Sequence, residues 1–280
     1  MSRLIYILVL SVLTLFVSCG NYNKVLKSTD VDFKFAAAKE YYAKGQYNRA
    51  ATILQMIVTS LKGTEYGQES LFLLGMSHFK AENYEAATAV FRKFYQSYPK
   101  GEYTEEARFH TALSLMAEIP EPKLDQSATY EAITEFQNFV EVYPNSVRRE
   151  EAMAHIYYME DVLVEKEYLS AKLYYDLGDY FGNCNSGDGG SNYQACIITA
   201  ENAIRDYPYT ALREKFAILI LKAKFELAEK SIEAKKLERY HNAIDEYYGF
   251  TNEYPESTFM QEATKMYEKA RKYAPAETEN

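Results

Sequence analysis

The sequence predicts an all-α fold, a solenoid of about five helix pairs closed by a C-terminal capping helix. Three observations carry that expectation. First, one phrase recurs, as FRKFYQSYPKGEYTEEA at 91–107, FQNFVEVYPNSVRREEA at 136–152 and YYGFTNEYPESTFMQEA at 247–263, with a weaker echo, ENAIRDYPYTALREKF, at 201–216. Self-similarity of this kind is the mark of repeat architectures. Second, small and apolar residues recur at helical spacing between the phrases. Third, 12 Gly and 7 Pro in 280 residues are too few for a turn-dense β fold.

The elements follow in chain order. Arg3 precedes the apolar run LIYILVLSVLTLFVSC, which is short for a membrane span and fits a secretory signal over residues 1–18. It ends in LFVSC and resembles the lipobox of bacterial lipoproteins, with Phe16 where the usual Leu stands and Leu15 one place further out. The resemblance makes Cys19 the acylated first residue of the mature chain. More than one acyl chain anchors stably, because each buried methylene contributes about 0.8 kcal/mol. Residues 19–30 then form the lipidated Cys and a polar tether, residues 31–145 hold repeats one to three, and residues 146–280 hold repeats four and five plus the cap.

Pro99, Pro144, Pro208 and Pro255 each lie twelve residues after a small side chain: Ala87, Ala132, Cys196 and Ala243. Tyr84, Thr129, Tyr193 and Tyr240 stand three residues before those, and Phe91/Phe94, Phe136/Phe139 and Tyr247/Phe250 fill further inward positions. A Pro-free first copy has Tyr47, Ala50, Leu54 and Ile57 at the same offsets. The preceding helices also align: GTEYGQESLFLLGMSHF (63–79) matches KGEYTEEARFHTALSLM (100–116) without gaps, pairing Gly75 with Ala112 and Phe72 with Phe109. Each Pro ends a second helix, since it has no amide donor and restricts the residue before it. Glu105, Glu106, Glu150 and Glu151 then fall in the first turn of the next helix and complement its dipole. Repeat three has an enlarged loop, IPEPKLDQSA at 119–128. Repeats four and five have long first helices, about 150–178 and 212–239, and the Gly-rich FGNCNSGDGGSN (181–192) follows the first of them. A helix around Phe259–Tyr273 caps the array.

This register resembles the tetratricopeptide pattern, most closely at Leu71, Leu74, Gly75, Tyr84, Ala87, Phe91, Phe94 and Pro99. Such repeats turn their first helices to an inner surface. The expected peptide-binding groove is lined by Phe35, Tyr42, Phe72, Met76, Phe79 and Phe109, with Lys39, Leu113 and Met116 beside them. Aromatic and Met side chains there suit an extended peptide with apolar residues. The alternative for several of them is packing against neighbouring helices.

Composition limits the chemistry. A net charge of −9 provides no basic stripe for a nucleic-acid partner. No GxSxG, HExxH, P-loop or dinucleotide fingerprint occurs. His78, His110, His155 and His241 have no His or Cys at ligand spacing. Neither catalysis nor a metal or cofactor is expected. Cys184 and Cys196 either pair in an oxidising compartment or leave Cys196 as a buried thiol at the small-residue position of its helix.

The lipobox, the tether YNKVLKSTD and the Tyr-Pro joints, with 22–99 as the nearest stretch, resemble the BamD family of outer-membrane β-barrel assembly lipoproteins. The resemblance implies a non-catalytic protein anchored in the outer membrane of a Gram-negative bacterium, on its periplasmic side. It implies N-terminal repeats that recognise targeting signals of unfolded outer-membrane proteins, and C-terminal repeats that hold a BamA-type barrel insertase, with accessory lipoproteins as further partners. The long repeat four and its Gly-rich loop depart from the family's compact pattern. The alternative is another tetratricopeptide envelope lipoprotein, a division coordinator or a glycan-uptake subunit.

Overall fold

A computed structural model describes residues 21–178 and 191–275, and among these every regular element is helical. After helical turns over 21–27 come α1 (Val31–Ala43), α2 (Tyr47–Ile57), α3 (Gly67–Lys80), α4 (Tyr84–Ser97), α5 (Thr104–Met116) and α6 (Ser127–Val142). Then follow α7 (Arg149–Leu177), α8 (Asn192–Asp206), α9 (Arg213–Glu229), α10 (Glu233–Glu253) and α11 (Met260–Tyr273). Helices adjacent in sequence pack on one another from α1 to α6 and from α8 to α11. This is the arrangement of a tetratricopeptide-like solenoid. No helix of the described residues is long and apolar enough to cross a membrane. Cys19 lies outside them.

The chain divides into two compact units. One takes in residues up to Pro120 together with Gln126–Ile156; the other takes Glu121–Asp125 and the chain from Tyr157 onward.

The recurring phrase has one geometry. Tyr98, Tyr143, Tyr207 and Tyr254 cap α4, α6, α8 and α10 with φ between −132° and −124° and ψ between 64° and 67°. Each donates its N–H to the carbonyl four residues back, of Phe94, Phe139, Ala203 and Phe250. Three of the Tyr rings lie on that Phe, at 5.4, 5.4 and 5.5 Å between centroids. The next residue is Pro, which has no N–H to leave unpaired. The hydroxyls of Ser146, Thr210 and Ser257 then accept the N–H two residues on, at 3.0, 3.1 and 3.0 Å, and turn the chain into the next helix. Gly101 stands at this place in the first joint, where a Cβ would fall 2.3 Å from Gln68 Oε1. α11 ends in the same way, with Ala274 at φ −123°, ψ 76° before Pro275. That fifth Xaa-Pro joint escaped the sequence reading because Ala replaces Tyr.

The opposite ends of the first two pairs are closed by a left-handed residue. Gly45 takes φ 70° after α1, and the equivalent Glu82 takes φ 60° after α3, although it has a Cβ. In both turns the next amide reaches back five residues, Gln46 to Tyr41 and Asn83 to His78. Tyr42 meets Tyr47 edge-on at 5.3 Å, and Phe79 meets Tyr84 at 5.7 Å, an identical spacing of five residues.

In the N-terminal unit Phe91, Phe94, Phe109, Phe136 and Phe139 are completely buried. Gly75 lets α3 sit against Phe91. Arg92 of α4 ties to α6 through Glu131 (2.8 Å) and Glu135 (2.7 Å). In the C-terminal unit α9 is buried at every position from Phe216 to Leu221. Phe216, Leu219, Ile220 and Ala223 join a core with Val164, Ala171 and α8, while Ala217, Ile218 and Leu221 join another with Phe250 and Ala263. A helix buried all round belongs at the centre of a stack. The expected single helix over 212–239 is therefore corrected: it breaks after Glu229. Ser231 Oγ donates to the Leu227 carbonyl, and the Ile232 carbonyl accepts the Lys235 N–H of α10.

Candidate functional site

The candidate site is the face of α1, α3 and α5 in the N-terminal unit. The structure sorts its expected residues into two sets. Phe35 is 3% exposed and Phe109 is fully buried, so neither presents surface to a ligand. Phe109 packs edge-on against Phe136 (5.8 Å) and Phe139 (5.2 Å), and the Arg148 guanidinium covers it at 4.7 Å. Phe35 lies against Tyr66 at 5.4 Å beneath the Lys39 ammonium. The physical reason lies in what surrounds each ring. An aromatic residue at this point of a first helix packs on the second-helix rings, as Phe72 does on Phe91 and Phe94 and Phe109 does on Phe136 and Phe139, and what covers its other side decides how much of it stays open. Sequence spacing alone treats Phe72 and Phe109 as equivalents.

Phe72, Met76, Phe79 and Tyr42 remain partly exposed. Phe72 stacks on Tyr103 at 4.7 Å and 12°, and also touches Phe91 and Phe94. Phe79 has His110 edge-on at 5.1 Å and Tyr84 on its other side. Burial raises the Tyr42 hydroxyl above its ordinary pKa, with Tyr47 adding to the effect. Leu113 and Met116 on α5 are likewise partly exposed. The result is a row of half-buried aromatic and Met side chains, whose undersides fix the helices while their edges stay accessible.

Tyr103 and His110 were missed by sequence reasoning. A signal for Tyr103 existed: Tyr103, Arg148, Leu212 and Phe259 each stand four residues after a joint Pro, and all but Arg148 are apolar or aromatic. His110 sits between Phe79 and Phe91, with Nδ1 2.9 Å from the Glu106 carbonyl oxygen. A carbonyl can only accept, so Nδ1 carries the hydrogen. Burial lowers the pKa of His110 below the ordinary 6.5, and Arg148 and Lys80 act in the same direction, while Glu106 opposes them.

The sign of the linkage is fixed by that shift. Between the lowered folded pKa and 6.5 the unfolded chain binds more protons at this residue, so stability rises with pH there. The N-terminal unit should thus keep its full stability above pH 6.5 and lose it as pH falls towards the folded-state value. His110→Gln should flatten the slope of urea midpoint against pH, and an unchanged slope would show that His110 does not contribute.

Cys196 is fully buried in α8, and burial pushes its thiol pKa up to about 12. Cys184 lies outside the described residues. Among the described residues no group of three or more His, Cys, Asp or Glu side chains is placed to hold a metal.

Consecutive helix pairs packed on their sequence neighbours define a repeat protein of the tetratricopeptide-like class. The sequence profile of the YfiO family, outer membrane lipoproteins, matches residues 29–189. The chain belongs to that family, which places it at the outer membrane. It is similar to proteins named outer membrane protein assembly factor BamD. It is 22% identical to that of Caulobacter vibrioides over 55% of this chain and 50% of the relative. It is 22% identical to those of Pasteurella multocida, over 50% and 58%, and Haemophilus influenzae, over 59% and 67%. The matches thus span half to two-thirds of the length of these relatives.

Proposed function

We propose that the chain is a non-catalytic, lipid-anchored scaffold of the outer-membrane β-barrel assembly machinery, facing the periplasm. Cys19 carries the lipid. The N-terminal unit receives the targeting signals of unfolded outer-membrane proteins, and the C-terminal unit holds a BamA-type insertase, with accessory lipoproteins as further partners. The observation that carries this reading is the family match over residues 29–189, whose relatives are named assembly factors. The partly exposed side chains of Tyr42, Phe72, Met76 and Phe79 support the first role. Partly exposed aromatic and Met side chains on paired helices offer apolar contact to an extended segment without a rigid pocket.

Purification of the anchored chain from detergent-solubilised outer membranes tests the assembly role. An insertase recovered with it is the expected result; recovery of division proteins or a nutrient transporter in its place would refute the reading. For the groove, Met76→Ala with Phe79→Ala should weaken binding of a barrel-protein C-terminal peptide about tenfold, as for an aromatic hot spot. Unchanged affinity in a variant that retains its helical circular dichroism would remove this face from the account.

A further inference from the structure

The C-terminal unit contains a cleft of about 680 Å³ bounded by α8, α9 and α10, which none of the roles above uses. Its apolar surface comes from Ile197 and the half-exposed Ile198 of α8 and from Leu227 of α9. Its charges are unequal, with four carboxylates and two cations among the lining residues. Lys224 is already engaged, 2.6 Å from Glu246 and 3.6 Å from Glu201. Arg239 is held by a hydroxyl, its Nη1 donating to Ser231 Oγ at 2.5 Å. That leaves Glu238 and Asp245, exposed and without an ion-pair or hydrogen-bond partner among the described residues. They stand seven residues apart on one face of α10, with Asn242 between them. Two helical turns separate them, about 10.5 Å along the axis.

We propose that this cleft is a docking site for an amphipathic helix of a partner protein, one with Lys or Arg two turns apart and an aliphatic side chain between them. Cations at that spacing match Glu238 and Asp245, and the aliphatic residue lies on Ile198 and Leu227. Helix-in-groove recognition reads such apolar anchors at helical spacing. The uncompensated carboxylates select the sign of the partner and speed its approach, an effect reinforced by the chain's net charge of −9. A second copy of this acidic chain is a poor occupant on the same ground. The inference stands on the cleft alone, whether the helix belongs to an insertase or to an accessory lipoprotein.

The test uses the full chain in detergent and a labelled helical peptide of about four turns, with Lys at two positions seven apart and Leu between them, read by fluorescence anisotropy. A twin with Glu in place of Lys is the control. Binding of the Lys peptide that weakens with added salt, while the Glu twin fails to bind, is the expected result. Glu238→Gln with Asp245→Asn should weaken it roughly three- to tenfold, as for two rim charges. Ile198→Asp should abolish it. These residues are exposed, so both variants should keep the wild-type circular dichroism and melting point. The proposal is overturned if the Lys peptide does not bind, if it binds both variants as tightly as wild type, or if Ile198→Asp turns a sedimenting dimer into a monomer. Recovery of an insertase with the wild-type chain tests the assembly reading separately, so the two can fail independently.

Discussion

Phe109→Ala should lower the stability of the N-terminal unit by about 3–5 kcal/mol, the cost of emptying a fully buried Phe site. The upper part of that range is expected, because little can move into the space. Phe136 and Phe139 are themselves fully buried and held in helix α6, which Arg92 fastens to α4 through Glu131 and Glu135. Arg148, above the ring, is held by Glu106 at 2.8 Å. Phe109→Leu retains most of the volume and should cost less than about 1.5 kcal/mol. Urea unfolding followed by circular dichroism measures both. A Phe109→Ala loss no greater than that of the Leu variant would contradict the close packing described around this ring, and would return Phe109 to the candidate groove.

Gly75→Ala should also destabilise, by about 1–3 kcal/mol, although Ala is the better helix former by roughly 1 kcal/mol. The added methyl would lie 2.5–3.0 Å from three ring atoms of Phe91, a side chain with no exposed surface through which to retreat. The two helices must separate or the ring must leave its rotamer. If that contact is the cause, Phe91→Leu placed in the Gly75→Ala background should cost less than Phe91→Leu alone. Side chains in contact couple in this way, whereas distant ones add. Simple additivity in the double-variant cycle would assign the Gly75 effect to something other than Phe91.

The joints were the most legible part of the chain. Pro99, Pro144, Pro208 and Pro255 can occupy few backbone states, and the residues before them fewer still, so the pattern of letters translates almost directly into dihedral angles. The small-residue positions were equally plain: Ala87, Ala132, Cys196 and Ala243 are all essentially buried. What sequence could not resolve was how far each ring of the first helices is covered. Phe35 and Phe109 look like groove residues on a helical wheel, but the wheel does not say what packs over them. That is a property of the whole stack. The break at Glu229 was obscured because LAEKSIEAKKLER holds strong helix formers and neither Gly nor Pro. The acidic cleft was illegible for a related reason: it is assembled from three helices, and Glu238 and Asp245 are distinguished only by the ion pairs that their neighbours make and they do not.

The preference of each helix for its immediate sequence neighbours has a kinetic consequence. Native contacts are short-range along the chain, so little loop entropy is lost before packing begins to repay it. The chain can then acquire structure pair by pair, starting from whichever pair forms its own contacts first. Little apolar surface need wait in the open for a remote segment to arrive.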